Sequence, residues 1–378
     1  MEWSIKEYMY ITSKTNTENI SKGLDIQTNY TKHIQKKIAM LCLLTVLLFA
    51  VGLVGLSLGG SSYTVRESWE ALRGGLSFSN SDVVNTRHNI IWKLRVPRVM
   101  MAIIGGAGLA FSGVVMQTIL KNPLASPFTL GISSAASFGA ALAIIMRTGF
   151  LGIFDITLPY DYLITGNAFT FSLICTMIIY GLTKLQKVSS ETIILLGVAM
   201  MNLFSAATSF LQYLGDPDEL ASLTYWMFGS LSKVTWSKLH ITCLLVIPII
   251  LLIYRRAWDL NSLMLGEESA KSTGINVERL RLTCFILTSL VTAVVVSFLG
   301  PIGFIGLVAP HLGRILFGGD HRFLIPASSL LGALLLLLAD TIARTLLAPV
   351  VIPVGIITSF VGVPLLIYLM MRRRTEHW

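Results

Sequence analysis

Charge is scarce in this chain. Asp, Glu, Lys and Arg supply 13% of the 378 residues and hydrophobic residues 54%, with a mean hydropathy of +0.72. That balance excludes an ordinary soluble globular protein. No Gly-x-x-x-x-Gly-Lys-Ser/Thr phosphate loop occurs, so the chain is not expected to bind or hydrolyse nucleotide in that way. Cysteine is limited to Cys42, Cys175, Cys243 and Cys284, each within an apolar stretch and without metal-type spacing, which reads as packing. Candidate ionisable residues inside the apolar stretches include His311, Arg314, Asp340 and Arg344, each near a stretch end. An ion or proton relay needs titratable groups at depth, so a secondary transporter is disfavoured. No nucleophile or metal constellation is visible, and an enzyme is not expected.

What the sequence has in abundance is long apolar runs. A helix needs about 20 apolar residues to cross the hydrocarbon core, and ten candidates stand near 38–58, 99–120, 128–146, 162–183, 192–214, 238–254, 282–299, 302–317, 323–347 and 350–371. The expected class is therefore all-α, a polytopic membrane protein of about ten helices. Between Met100 and Met146 the 47 residues hold a single charge, Lys121, beside the polar turn Asn122, Pro123 to Ser126, Pro127. Gly106 and Ala110, then Gly108 and Ser112, lie four apart, a spacing that lets one helix backbone press against another inside lipid.

Basic residues beside the runs give an orientation. Lys32, Lys36 and Lys37 precede the first and Arg372, Arg373 and Arg374 follow the last, so both termini are expected in the cytoplasm. Lys184 and Lys187, Arg255 and Arg256, and Lys271, Arg279 and Arg281 then fall on the same side. The segment 60–98 breaks the pattern, since it lands outside yet carries Arg66, Arg73, Arg87, Lys93, Arg95 and Arg98. The net charge of +9 otherwise reflects inner-face loops and calls for no nucleic-acid partner. Residues 1–37 form a polar cytoplasmic extension, expected to be disordered, and 38–374 form the transmembrane domain.

Two connections stand out. Between the sixth and seventh runs, Asp259 to Gly274 reads as short helices: Glu267 and Glu268 complement the positive end of the second, and Gly274 supplies a left-handed stop. Leu263, Met264 and Leu265 are expected to be exposed, either as a docking knob for a cytoplasmic protein or as a helix on the membrane surface. The second is Gly300 to Arg314, where glycine and proline at high density interrupt helix. Interrupted backbone at membrane depth is tolerated only where protein or water covers it, so this segment is expected to face the bundle interior or a cavity.

Arg95-Val-Pro-Arg98, Gly105-Gly-Ala-Gly108, Ser112-Gly-Val-Val-Met-Gln117, Asn122-Pro-Leu-Ala125, Leu130-Gly131, Gly300-Pro-Ile-Gly-Phe-Ile-Gly-Leu-Val-Ala-Pro-His311 with Arg314, Asp340 with Arg344, and Pro353-Val-Gly355 occur in this order. Together they resemble the FecCD-type permease subunits of binding-protein-dependent ABC importers for iron-siderophores, haem and vitamin B12. The resemblance covers about 38–374.

It implies a type II ABC importer permease fold in a bacterial cell membrane, working as a homodimer or heterodimer with a second permease subunit. Its further partners would be two cytoplasmic ATPase subunits and an extracytoplasmic siderophore-binding lipoprotein. ATP would be used by the partner, and no cofactor would be bound by this chain. The resemblance assigns ATPase coupling to Leu263, Met264, Leu265, Gly266, Glu267, Glu268, Ala270 and Gly274. It assigns binding-protein docking to Arg95, Arg98 and Arg344, which would meet acidic residues; anchoring Arg95 and Arg98 to lipid headgroups is the local alternative. Met116, Gln117, Gly303 and Gly306 are expected on the translocation path. Ferric siderophore is the expected cargo, with haem or vitamin B12 as alternatives.

Overall fold

A computed structural model describes residues 2–59, 63–73, 88–147, 159–186 and 190–372, with the side chains of 2–28 among those left aside. Arg87, Lys187, Arg373 and Arg374, part of the charge argument above, lie outside the described residues. The described residues contain helices and turns and no strand. The chain divides into two compact units, 1–46 and 47–378. Everything below concerns the second, apart from the first helix, α1 (Glu2–Ser57), which begins in the unit before it. The helix α1 begins at Glu2, ahead of the apolar run at Ile38.

The remaining helices are α2 (Val65–Arg73), α3 (Val96–Ile119), α4 (Ile132–Ile145), α5 (Tyr160–Gln186), α6 (Ser190–Leu214), α7 (Pro217–Met227), α8 (Trp236–Tyr254), α9 (Ala257–Met264), α10 (Glu267–Ser272), α11 (Val277–Leu299), α12 (Ile305–Phe317), α13 (His321–Thr345) and α14 (Val354–Arg372). Each of the ten apolar runs forms a helix. Seven are long and apolar enough to cross a membrane, while α4, α12 and part of α14 are shorter apolar helices. The third run starts later than its hydropathy suggests because Gly131 takes φ 80°, a left-handed conformation that opens α4 only at Ile132. Two short helices were not expected. One is α2. The other is α7, which Asp216 and Glu219 start with a reciprocal capping box ahead of Pro217.

The organising helix is α3, preceded by one π-helical turn at Ile91–Arg95. It packs against α13, α11, α12 and α8, so nearly all of its surface is enclosed. Small residues make this enclosure possible. Gly106 and Ala110 face Gly332 of α13 backbone to backbone, Gly108 receives Val291 of α11, and Gly113 lies on the Gly306 carbonyl of α12. Ser112 adds a hydrogen bond from its hydroxyl to the Thr288 carbonyl, 3.2 Å. Without a hydrophobic drive between helices in lipid, such close van der Waals contact and interhelical hydrogen bonding hold the bundle.

Candidate functional site

Three groups of residues carry the functional argument. At one end of the bundle the π turn and the first turn of α3 bring Arg95 and Arg98 to the last turns of α13, where Asp340 and Arg344 stand one turn apart. Asp340 is fully buried. Arg98 grips it with Nε and Nη2, 3.0 and 2.8 Å from Oδ1, and Arg344 Nε lies 3.0 Å from Oδ2. Arg95 donates to the carbonyls of Leu56 (2.6 Å) and Ser57 (2.9 Å), and its guanidinium covers the Tyr63 ring at 4.8 Å. Arg344 donates to the carbonyls of Gly55 (2.9 Å) and Leu58 (3.0 Å). The three arginines thus meet, but they turn inward: Arg95 and Arg344 are each 6% exposed. They close the C-terminal end of α1 against α3 and α13, an arrangement the headgroup-anchor alternative does not describe. They also line a cavity of about 300 Å³ together with Gly59, Ser232 and Val351. Among the described residues Asp340 is the carboxylate that Arg98 and Arg344 bind on this wall.

At the other end stands the hairpin of α9 and α10. Leu263 and Ala270 are fully buried and seat the hairpin on the bundle, which corrects the expectation that Leu263 is exposed. The outward face is formed by Met264, Leu265 (80% exposed) and Trp258, a residue that sequence reasoning missed. The signal was present, since Trp258 precedes Leu265 by seven positions and so shares its helix face. Gly274 takes φ 84°, and the Ile275 N–H reaches the Ala270 carbonyl at 3.1 Å, the six-to-one bond of a Schellman stop. Gly266, at φ 127°, makes the break between the two helices. Glu268 sits in the first turn of α10, as expected.

Glu267 serves a different purpose from the dipole role expected of it. It takes a 2.5 Å bond from Arg281 of α11 and lies 3.7 Å from Lys121, so it fastens the hairpin laterally. The hydrogen bond from Arg281 holds its carboxyl below the ordinary glutamate value. Asp320 caps α13 by accepting from the Arg322 backbone N–H (3.0 Å), and its carboxylate also takes Arg322 Nη2 (2.6 Å) and Asn261 Nδ2 (2.9 Å). Burial would raise the Asp320 carboxyl, but hydrogen bonds from Arg322 and Asn261 outweigh it and hold it at about 2.

A depressed carboxylate stabilises the fold above its unfolded value and loses that contribution as pH falls through the folded one. Asp320→Asn should therefore lower the melting temperature of the detergent-purified protein at pH 7, with the deficit narrowing as pH drops from 5 toward 2. A deficit independent of pH would show that the charge contributes nothing.

The third group is the break before α12. Residues 300–304 are not helical, and Phe304 caps α12 with φ 68° and ψ −28°, left-handed values that cost a non-glycine residue of order 1–3 kcal/mol. The Ile305 N–H returns to the Gly303 carbonyl at 2.9 Å, making a tight three-residue turn around Phe304. Gly303 is open, with no atom within 4 Å of where a Cβ would stand. With Gly306, Leu109, Ser133, Thr292 and Phe304 it lines a cavity of about 70 Å³. Two of the four expected path residues, Gly303 and Gly306, are thus on a cavity wall. Met116 and Gln117 are not: both are buried within the helix packing, and Gln117 Oε1 accepts a short hydrogen bond from Arg314 of α12. The reason is the enclosure of α3, which leaves that stretch no open face.

A central small-residue helix, an interrupted helix and a two-helix knob at one end form a pattern that comparison can test. The chain matches the FecCD transport family over residues 44–372. It belongs to that family. The FecCD permease is 46% identical over 92% of its length to "Putative ABC transporter permease protein MJ0087" of Methanocaldococcus jannaschii, covering 99% of that protein. It is 36% identical over 89% of its length to the hemin transport system permease protein HmuU of Yersinia pestis, covering 96% of it. A solved structure, "An inward-facing conformation of a putative metal-chelate type ABC transporter", superimposes with a TM-score of 0.75 at 31% identity, covering 88% of this chain and 99% of that one. The chain is thus a membrane-spanning permease subunit of an ABC importer and no enzyme, and it pairs with another permease subunit and with ATPases.

Proposed function

We propose that this permease carries a ferric siderophore into the cytoplasm by alternating access, driven by ATP that its partner subunits consume while this chain binds no cofactor. The supporting observation is the wall around the Gly303 turn. Its residues are apolar or carry hydroxyls, and none is a carboxylate, imidazole or thiol. A bare metal ion would want oxygen, nitrogen or sulfur ligands along its way, whereas a metal wrapped in its own chelator needs a wall that passes organic surface. The metal-chelate type of the superimposed transporter agrees with this reading. Relatives named for hemin, molybdate and vitamin B12 keep other cargoes in view.

The experiment is energy-dependent uptake of labelled ferric siderophores, haem, molybdate and vitamin B12 in cells lacking the gene, before and after its return. Restored uptake of ferric siderophore, abolished when the partner ATPase is inactivated, supports the reading. Restored uptake of another cargo replaces it, and restored uptake that ignores the ATPase overturns the importer mechanism.

The α9–α10 hairpin is the ATPase contact in this reading, with both termini in the cytoplasm. Trp258, Met264 and Leu265 form an apolar face that the bundle leaves uncovered, of the sort that anchors an interface. Leu265→Glu should release the ATPase from the purified complex while leaving the melting temperature of the permease alone unchanged. Continued co-purification would return the hairpin to the membrane surface. At the opposite end, the cavity lined by Arg95, Arg98 and Arg344 would receive a carboxylate of the extracytoplasmic lipoprotein that delivers the chelate.

A further inference from the structure

Asn261 lies on the inner side of α9, half-buried against the start of α13. Its Oδ1 accepts from the His321 backbone N–H at 2.8 Å and stands 2.7 Å from His321 Nδ1, while its Nδ2 donates to Asp320 Oδ1 at 2.9 Å. A backbone N–H only donates and a carboxylate only accepts, so the amide is fixed from both sides and offers His321 an acceptor. Nδ1 therefore carries a ring proton. In the uncharged ring Nε2 is then an acceptor, and it meets Thr118 Oγ1 of α3 at 2.7 Å. The Thr118 hydroxyl has one proton and two places for it: His321 Nε2, or the Val114 carbonyl at 2.9 Å.

The result is a directed chain from the Thr118 hydroxyl to His321, from His321 Nδ1–H to Asn261, and from Asn261 to Asp320. Its first two members are closed to water, since His321 and Thr118 are each 1% exposed. A second tie from the same hairpin ends beside it. Glu267 of α10 holds Arg281, and Arg281 Nε donates to the carbonyl of Ile119 at 3.2 Å. Both helices of the hairpin thus terminate on adjacent residues of the last turn of α3. That helix carries Gly113 onto Gly306, next to the Gly303–Phe304 turn.

We infer that Asn261, His321 and Thr118 are positioning residues through which movement of the hairpin reaches α3 and, through Gly113, the broken turn at 300–306. The inference rests on the hairpin being the ATPase contact. Coupling of this kind needs an element with two discrete arrangements, and the two acceptors of the Thr118 hydroxyl supply them. When the hairpin moves, Asn261 withdraws Oδ1, the ring turns or shifts to follow it, and the Thr118 proton returns to Val114. A hydrogen-bonded chain between buried groups transmits such a shift because leaving any member unpaired in the interior is costly.

The test uses the complete complex of permease and ATPase in nanodiscs, with ATP and vanadate as the probe. Hydrogen exchange is followed at residues 300–306 with and without the probe, alongside the rate of ATP hydrolysis. In the unsubstituted complex the probe should change exchange at 300–306 by at least about fivefold. Thr118→Val keeps the shape and removes the hydroxyl; it should abolish that response while hydrolysis stays within about twofold, and Thr118→Ser should restore it. Arg281→Gln cuts the second tie from a partly exposed site and should reduce the response even if Thr118→Val does not fold. A full response in Thr118→Val, or in Arg281→Gln when the first variant is lost, overturns the proposal. If the ATPase stays bound to Leu265→Glu, the docking reading fails and this proposal falls with it. Release by Leu265→Glu together with an unchanged response in Thr118→Val overturns the coupling chain alone.

Discussion

Asp340→Ala is expected to destabilise the permease by about 3–5 kcal/mol, because it strips the carboxylate that binds two guanidinium groups, which stay where they are. Asp340 is completely buried, and Arg98 and Arg344 both bind it. A cation left without its partner in a closed setting retains the full cost of its desolvation. The measurement is the melting temperature of detergent-purified protein, read by the fraction remaining monodisperse after heating.

Replacing the ionic group as a whole should behave differently. Arg98→Met, Asp340→Leu and Arg344→Met together remove both the charges and the need to pair them, and buried ion pairs exchanged for packed apolar residues are often neutral or better. The triple variant should therefore recover most of the lost stability. It should nevertheless bind the delivering lipoprotein more weakly, because two of the three guanidinium groups on the cavity wall are gone and only Arg95 remains. Melting of Asp340→Ala at the unsubstituted temperature would show that the cluster does not hold the end of α1. Full lipoprotein binding by the triple variant would show that docking relies on other residues.

The second large effect concerns the core of the bundle. Gly106→Leu places a branched side chain where the Gly332 carbonyl and Leu336 already stand, and no rotamer escapes because the clash begins at Cβ. Overpacking typically costs 1–3 kcal/mol where side chains can shift, roughly; here backbone meets backbone, so α3 and α13 must separate. The expected outcome is loss of folded permease from the membrane fraction. The control is Gly181→Leu on α5, where no atom lies within 4 Å of the Cβ position, and it should be tolerated. Equal yields for the two variants would refute the close approach of α3 and α13.

Hydropathy was enough to find the ten apolar helices, seven of them long enough to cross a membrane, because a helix in lipid has to satisfy its own backbone and therefore leaves a long apolar signature in the chain. The boundary of α4 escaped that reading, since the apolar character of 128–131 continues through a stretch that Gly131 bends. The helix α7 escaped as well: eleven residues with a capping box are too few to be seen by a search for spans, although Asp216, Pro217 and Glu219 announced its start. The Gly274 stop was legible because one residue type favours one backbone conformation. The exposure of Leu263 was misjudged because the three apolar residues 263–265 look alike in sequence, and only the seating of the hairpin decides which of them is covered.

The sequence by itself determined that this is a helical membrane permease, that the helix carrying Gly106 and Gly108 can press closely against another, and where helix is interrupted. Those properties follow from local composition and spacing, which act over a few turns. Only the tertiary structure decided which charges meet. Arg98 finds Asp340 across 242 positions and Thr118 finds His321 across 203, and no local pattern encodes such pairs. The partner of a buried polar group is chosen by whichever group the packed helices bring within reach, and the cost of leaving it unpaired then fixes the choice.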